Sequence, residues 1–147
     1  DARYELFPIE EVTELPALLR QHPDLKGLNV TIPHKQSVIP LLDDLDETAR
    51  AVGAVNCIKI GPDGRLKGYN TDVTGFEQSL LGLIGTRKVD VAYILGTGGA
   101  AKAVAYVLDK LAIPFHYVSR SPHSPIEIPY ANLAHQHSSL IIHISSL

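Results

Sequence analysis

The chain has few of the residues and patterns that mark several classes of protein. Its 147 residues include one cysteine, Cys57, and no methionine. A single cysteine excludes an internal disulfide and favours a reducing, cytoplasmic location. Because it lies in the strand-like run VNCIKI, Cys57 is interpreted as a small core residue rather than a nucleophile. The sequence has neither an apolar run of membrane-spanning length nor a basic run, so we expect no membrane and no nucleic acid as partner.

What the chain does have is enough apolar sequence for a folded core. Hydrophobic residues make up 45% of it, and 13 Lys and Arg against 16 Asp and Glu leave a formal net charge of −3. This composition is typical of a globular protein. Strand-like and helix-like patterns alternate along the chain, which indicates the α/β class. None of these patterns indicates an oligomeric state.

The most informative stretch is VDVAYILGTGGAAKAVAYVLDKL, residues 89–111. An apolar strand-like run is followed by Gly96, Thr97, Gly98, Gly99 and Ala100, and then by apolar residues at helical spacing. Read with the next alanine, the spacing is G-x-G-x-x-A between a strand and a helix. This is the dinucleotide-binding fingerprint, in which the pyrophosphate binds the N-terminus of the helix. The alternative is a glycine-rich turn that binds nothing.

The next predicted strand, residues 115–118, indicates which dinucleotide binds. An NAD-binding unit usually has Asp or Glu about 20 residues after the glycines, to bind the ribose 2′-hydroxyl. Here the strand ends in Ser119, Arg120 and Ser121, without a carboxylate. A guanidinium and two hydroxyls suit a 2′-phosphate, so the sequence predicts NADP as cofactor. A solvated loop charge is the alternative for Arg120.

The remaining elements follow an α/β order. We expect strands at residues 4–7 and 27–30, a helix at 46–52, a hairpin at 56–69, and a helix that starts at a capping box on Thr74. A joint near residue 85 separates a substrate-binding α/β domain (1–85) from a Rossmann domain with a doubly wound parallel sheet (86–147). The second domain holds only some three predicted strands, whereas a full Rossmann sheet has about six. This count and the missing initiator methionine predict part of a longer protein.

Two polar stretches follow predicted strands of the first domain. One is Asn29-x-Thr31-x-Pro33-x-Lys35, and the other is Asn70-Thr71-Asp72, which precedes a predicted helix. Ligands in open α/β sheets bind at the carboxyl ends of strands, so both stretches are placed for a site. Lys35 and Asp72 brought together would form a pair for proton transfer, and the neutral side chains suit a polyhydroxylated ligand. A solvated lysine and a simple helix cap are the alternative.

At this point the sequence resembles the shikimate dehydrogenase family. The matching motifs are NVTIPHK (29–35), GAVN (53–56), GYNTD (68–72) and ILGTGGAA (94–101), and their order and separations also match. Members of this family reduce 3-dehydroshikimate to shikimate with NADPH, in the pathway to aromatic amino acids. The resemblance implies an α/β substrate domain followed by a Rossmann domain, with residues 96–100 as the pyrophosphate loop.

The resemblance also implies roles for individual residues. Lys35 is expected to be the catalytic lysine that protonates the C3 oxygen, with Asp72 as its partner. Thr31 and Asn56 are expected to contact the substrate, with Asn29 beside them. The family has Asn-Arg-Thr where this chain has Ser-Arg-Ser at 119–121, so the arginine is kept.

The chain also departs from the family pattern. The family's N-terminal Ser-x-Ser pair and C-terminal glutamine have no counterpart here, and LIIHISSL (140–147) differs from the family's LIVNTTPL. Residues 1–147 alone are therefore expected to bind substrate poorly. Two alternatives remain: a quinate/shikimate dehydrogenase that uses NAD, and a nucleotide-binding module without catalysis. His135, His137 and His143 lack a nearby cysteine or carboxylate to complete a metal site, so no metal is expected.

Overall fold

The structure is a computed structural model that describes residues 3–133 and 140–143. Its helices are α1 (Leu15–Gln21), α2 (His34–Ser37), α3 (Glu47–Val52), α4 (Asp72–Ile84), α5 (Gly99–Lys110) and α6 (Tyr130–Leu133). Its strands are β1 (Gly27–Asn29), β2 (Asp44–Leu45), β3 (Cys57–Ile60), β4 (Leu66–Tyr69), β5 (Ala92–Leu95), β6 (Phe115–Ser119), β7 (Glu127–Pro129) and β8 (Leu140–His143). The predicted α/β class, with a parallel second sheet, is confirmed.

The first sheet is mixed and has the order β1-β3-β4-β2. β3 and β4 form the predicted antiparallel hairpin, with Cys57 opposite Tyr69, and β1 pairs antiparallel with β3. The core under this sheet contains Val38, Val55 and Ile58, which are at most 2% exposed. The loops that follow β1 and β4 therefore emerge from a well-packed layer.

β2 was not predicted, because a strand of two residues is too short to show the alternation of apolar and polar side chains that indicates a strand. It pairs parallel with β4, which places Asp44 beside Lys67. Lys67 Nζ lies 2.9 Å from Asp44 Oδ2. The hydrogen bond from Lys67, together with one from the backbone N–H of Leu45, lowers the pKa of the Asp44 carboxyl. A side-chain contact between distant residues thus accompanies the strand pairing.

The strand predicted at residues 4–7 is wrong. The side chains of Tyr4 and Leu6 are 73% and 84% exposed, and no described strand pairs with this segment. The segment is instead held by side chains further along, since the Phe7 and His22 rings lie 4.7 Å apart and His34 Nε2 lies 3.2 Å from the Ile9 carbonyl oxygen. Alternation of side chains predicts a strand only where a ladder partner exists.

α4 starts at Asp72, two residues before the predicted Thr74. The buried Asn70 side chain accepts a hydrogen bond from the N–H of Val73 at 3.4 Å. The side chain that bonds the first turn is therefore Asn70, four residues before the predicted capping residue Thr74. This start places the Asp72 carboxylate in the first turn, where the helix dipole favours negative charge.

The second sheet is parallel throughout and has the order β7-β6-β5-β8. It has four described strands where about three were predicted, because β7 is too short to stand out in the sequence. α4 and α5 pack with this sheet in one buried cluster, in which Ile94 of β5 and Val107 and Leu108 of α5 are fully buried. None of the helices within 3–133 and 140–143 is long and apolar enough to cross a membrane.

The hydrophobic core of the second sheet extends across the predicted domain boundary. Val73 and Leu80 of α4 belong to the same buried cluster as Ile94 of β5, and so do Val52 and Ala54 from the first half of the chain. The division at residue 85 stays a prediction. By its packing, α4 belongs to the second core and carries Asp72 with it.

Two glycines that flank Asp72 should respond oppositely to substitution by alanine. A Cβ on Gly68 would lie 2.6–2.9 Å from side-chain atoms of Leu42, Val55 and Leu45, whereas a Cβ on Gly75 would meet nothing within 4 Å in the part of the chain that the structure describes. We expect Gly68→Ala to lower the free energy of unfolding by roughly 1–3 kcal/mol through overpacking. Gly75→Ala should raise it by about 0.8–1 kcal/mol, because alanine is the better helix former. Thermal denaturation measures both; a stable Gly68→Ala variant would contradict the packing described here.

Candidate functional site

The centre of the candidate site is an ion pair between Lys35 and Asp72, the last residues of the NVTIPHK and GYNTD motifs. Lys35 Nζ lies 2.8 Å from Asp72 Oδ2, and the two side chains are 17% and 35% exposed. Lys35 comes from α2, whose position is fixed because the Lys35 carbonyl accepts a hydrogen bond from Val55 N–H at 2.7 Å. Asp72 comes from the first turn of α4. A half-buried ammonium beside a carboxylate can stabilise a developing negative charge and exchange a proton with it.

Asn56 joins this pair through its amide group. Its Nδ2 donates to Asp72 Oδ1 at 2.6 Å and to Thr71 Oγ1 at 2.9 Å, and its Oδ1 accepts from the Thr71 backbone N–H at 2.9 Å. Lys35, Asn56 and Asp72, which are separated in sequence, therefore form one hydrogen-bonded group. Thr71 also belongs to this group; the sequence placed it in the polar stretch before Asp72 but did not single it out as a site residue.

Asn70, the first residue of the same polar stretch, has a structural role that the sequence did not indicate. It is 4% exposed, and its amide nitrogen donates to the Ala54 carbonyl at 3.0 Å. This bond ties the loop after β4 to the GAVN motif. A buried asparagine in a polar stretch was visible in the sequence, but the distant carbonyl that satisfies it was not.

The glycine turn has the conformation that the fingerprint requires. Gly96 has φ of 125°, a value that residues with a Cβ rarely adopt, and its N–H donates to the Val118 carbonyl of β6 at 3.1 Å. Gly98 precedes α5, whose N-terminus is capped by no side chain of the described residues, and Thr97 and Gly98 are exposed. The first N–H groups of α5 are therefore open to an anion, as a pyrophosphate site needs.

The glycine turn lies against the aliphatic part of the Lys35 side chain. A Cβ built on Gly99 would lie 3.4 Å from Cβ of Lys35 and 3.4 Å from Cβ of Ala54. Three residues further along α5, Lys102 Nζ donates to Gln36 Oε1 at 2.8 Å. Thus two successive residues of α2 contact the first turn of α5, and the predicted proton donor lies beside the predicted phosphate-binding turn.

The predicted 2′-phosphate residues lie at the same edge of the second sheet. β5 and β6 are parallel and in register, with Leu95 beside Val118, so Ser119, Arg120 and Ser121 follow β6 where the glycine turn follows β5. Arg120 is exposed, and the Ser121 N–H donates to Ser119 Oγ at 3.2 Å. An exposed guanidinium at this edge is available to an anion.

Asn29 and Thr31 are exposed. Both line a cavity of about 390 Å³ together with the segment before α1, whereas Lys35, Asn56 and Asp72 do not line it. Asn29 Nδ2 lies 3.5 Å from the Tyr4 hydroxyl. The cavity walls are mostly apolar, so we place the chemistry at the ion pair and not in this cavity.

The histidines offer no metal site in the part of the chain that the structure covers. Within residues 3–133 and 140–143, no three His, Cys, Asp or Glu side chains are grouped as metal ligands. His135 and His137 lie outside the described residues. The expectation that the protein binds no metal therefore stays a prediction.

Comparison with known proteins identifies a family. The profile of the shikimate dehydrogenase substrate binding domain matches residues 1–58. The NADP-dependent shikimate dehydrogenase of a Synechococcus strain is 48% identical over 101 residues, which are 68% of this chain and 34% of that protein. The NAD-dependent quinate/shikimate dehydrogenase of Corynebacterium efficiens is 49% identical over 82 residues, 56% of this chain and 29% of that protein.

Solved structures agree with the sequence matches. Shikimate dehydrogenase 1 of Peptoclostridium difficile superposes with a TM-score of 0.83 at 30% identity, covering 96% of this chain and 53% of that one. The Thermus thermophilus shikimate dehydrogenase in complex with NADP(H) and shikimate gives 0.76 at 28% identity, covering 92% and 54%. The chain thus spans about a third to a half of the length of these relatives. On the motifs, the fold and these matches together, the chain belongs to the shikimate dehydrogenase family.

Proposed function

We propose that the protein is an NADP-dependent oxidoreductase that reduces 3-dehydroshikimate to shikimate. The observation that carries this proposal is the 2.8 Å pair of Lys35 and Asp72, with Gly99 of the glycine turn against the Lys35 side chain. A proton donor and a dinucleotide-binding turn then belong to one site. The names of its relatives supply the substrate class, and the lone cysteine favours a cytoplasmic location.

The residues fit the proposed cofactor. Among the described residues, no atom beyond its chain neighbours lies within 4 Å of a Cβ built on Gly98, and no side chain caps the N-terminus of α5. In this proposal Gly96, Thr97, Gly98, Gly99 and Ala100 bind the pyrophosphate, while Ser119, Arg120 and Ser121 bind the 2′-phosphate. Bound there, NADPH would supply a hydride to the carbonyl carbon of the substrate.

Lys35 and Asp72 carry the proton side of the reaction. As hydride reaches the carbonyl carbon, its oxygen takes on the negative charge of an alkoxide, which the Lys35 ammonium stabilises and then protonates. Asp72 keeps the amine oriented and stabilises the ammonium when the amine regains a proton from solvent. One ketone, one hydride and one proton give one alcohol. Asn29, Thr31 and Asn56 are proposed to bind the substrate's polar groups.

One set of assays tests this proposal. The full-length gene product is assayed with shikimate and with quinate, each with NADP and with NAD. We expect the highest kcat/KM with shikimate and NADP. Nucleotide binding without turnover of either substrate would favour a non-catalytic nucleotide-binding module and would contradict the proposal.

A quinate/shikimate dehydrogenase that uses NAD is the second candidate. The observation in its favour is the 49% identity to the Corynebacterium efficiens enzyme of that name. This candidate requires a site that accepts the extra hydroxyl of quinate. Turnover of quinate with NAD at a kcat/KM at least equal to that for shikimate with NADP would select it.

Arg120 provides the test of cofactor choice. We expect Arg120→Ala to weaken NADPH binding roughly 10- to 100-fold, because a hydrogen bond to a charged group contributes about 1.5–3 kcal/mol. The affinity for NADH, which lacks the 2′-phosphate, should change little. Fluorescence titration with both nucleotides measures the two dissociation constants.

The matched control removes an arginine on the surface of α1, which packs with the first sheet. Arg20 lies in the last turn of α1 and is exposed like Arg120, so Arg20→Ala changes the net charge equally. It should leave both affinities unchanged. Equal losses of NADPH and NADH affinity in Arg120→Ala, or wild-type protein that binds NADH as tightly as NADPH, would rule out a 2′-phosphate role.

A further inference from the structure

Asp72 is bound on both of its carboxylate oxygens, and only one of these bonds comes from Lys35. Oδ2 lies 2.8 Å from Lys35 Nζ, while Oδ1 accepts from Asn56 Nδ2 at 2.6 Å. The second Nδ2 hydrogen of Asn56 is used by Thr71 Oγ1 at 2.9 Å. The amide nitrogen of Asn56 therefore has no further hydrogen to donate, and its oxygen already accepts from the N–H and from the hydroxyl of Thr71 at 2.9 and 3.3 Å.

The backbone of Asn56 is itself fixed between strands of the first sheet. Its N–H donates to the Tyr69 carbonyl of β4 at 3.0 Å, and its carbonyl accepts from Val30 N–H at 2.9 Å. Its side-chain oxygen also holds the Thr71 N–H at 2.9 Å, which fixes the residue that immediately precedes Asp72. The donor that reaches Asp72 thus projects from a rigid part of the fold, while Asp72 is still 35% exposed.

We propose that Asn56 and Thr71 are positioning residues, which hold the Asp72 carboxylate so that Oδ2 faces the Lys35 ammonium. This inference rests on the proposed proton-transfer role of Lys35 and Asp72. An exposed aspartate without these bonds samples several side-chain rotamers, and some of them turn the carboxylate into solvent and away from Lys35. Two donors on one carboxylate, one fixed by the sheet and one from Lys35, select a single orientation.

The proposal gives Asn56 a role that substrate contact alone does not predict. If Asn56 acts through Asp72, its removal changes the state of Lys35 even when no substrate is present. If it acts only on the substrate, Lys35 in the free protein is unaffected. The chemical reactivity of the Lys35 amine in the absence of substrate therefore separates the two roles.

The main experiment measures acetylation of Lys35 by acetic anhydride, followed by peptide mass spectrometry, with the other lysines as internal standards. An amine that is bonded to a neighbouring carboxylate, as Lys35 is to Asp72 at 2.8 Å, is shielded from the reagent and reacts slowly. We expect Asn56→Ala and Asp72→Ala each to increase the labelling of Lys35 several-fold. In the double variant, Asn56→Ala should add nothing to the effect of Asp72→Ala, because residues that act as a unit are not additive.

Steady-state kinetics of the full-length gene product provide the second measurement. We expect Asn56→Ala to lower kcat up to roughly 100-fold with the KM for NADPH unchanged, since a misplacement of about 1 Å in a catalytic site can cost that much. Thr71→Val, which removes only the hydroxyl, should lower kcat about 2- to 10-fold, the value of one neutral hydrogen bond. Thr71→Ser keeps the hydroxyl and should have a kcat close to that of the wild type.

Three outcomes would overturn the proposal: unchanged Lys35 labelling in both Asn56→Ala and Thr71→Val, additive effects of the Asn56 and Asp72 substitutions, or failure of Thr71→Ser to restore kcat. A failure of the proposed function has a different signature. In that case wild-type protein turns over neither shikimate nor quinate, while the labelling still decides whether Asn56 and Thr71 act on Asp72.

Discussion

We expect Lys35→Ala to lower kcat about 100- to 10,000-fold, the range that general acid–base catalysis contributes. The structural reason is that Lys35 is the cation bonded to Asp72, at 2.8 Å, beside the glycine turn. Without it, the alkoxide that forms on hydride transfer has neither a charge nor a proton to stabilise it. Steady-state assays of the full-length gene product with saturating 3-dehydroshikimate and NADPH measure the loss.

Lys35→Arg is the matched variant for this prediction. Arginine keeps the positive charge but does not give up a proton in proteins, so it should recover part of the electrostatic effect without restoring wild-type kcat. Binding of NADPH should survive in Lys35→Ala, because alanine retains the Cβ that lies against Gly99. A Lys35→Ala variant with near-normal kcat, or one that loses NADPH binding instead, would contradict the role assigned to Lys35.

The local patterns of the sequence predicted the elements of the fold that depend on neighbours in the chain. The glycine turn between β5 and α5, and the hairpin of β3 and β4, both follow from residues within a few positions of one another. Such features need only backbone sterics and side-chain periodicity. Their positions could therefore be read before any tertiary contact was known.

What the sequence did not predict depends on partners that are distant in the chain. The failed strand at residues 4–7 had the right alternation but no ladder partner, and β2 is a two-residue strand defined by its pairing with β4. The early start of α4 follows from the buried side chain of Asn70, which also bonds to Ala54. A scale of helix and strand propensities does not predict these features, because each depends on a partner that is distant in the chain.

The candidate site shows the same division. Motif spacing singled out Lys35 and Asp72 separately, but the hydrogen bonds that unite them with Asn56 and Thr71 became visible only in three dimensions. The contact between Lys35 and Gly99 is also a property of how α2 meets α5. It brings Lys35 of the NVTIPHK motif next to the glycine turn, a proximity that the order of the motifs along the chain does not determine.

Gly98→Ala should abolish most of the affinity for NADPH while leaving the fold intact. Gly98 has φ of −74° and ψ of −174°, an extended conformation that alanine adopts readily, and its added Cβ would meet no atom of residues 3–133 and 140–143 within 4 Å beyond its chain neighbours. That methyl group would instead occupy the space where a pyrophosphate approaches the N-terminus of α5. Each hydrogen bond to a charged phosphate that is lost contributes about 1.5–3 kcal/mol, so the dissociation constant should rise roughly 10- to 100-fold.

Gly99→Ala serves as the control, because it adds the same methyl group one residue later and toward protein. Its Cβ would lie 3.4 Å from Lys35 Cβ and from Ala54 Cβ, a normal van der Waals separation, so nucleotide affinity should change much less than in Gly98→Ala. Thermal denaturation should give similar midpoints for both variants and for wild type. If Gly98→Ala binds NADPH as tightly as Gly99→Ala does, the turn at residues 96–100 does not hold the pyrophosphate, and Lys35 loses the neighbouring cofactor on which its proposed role depends.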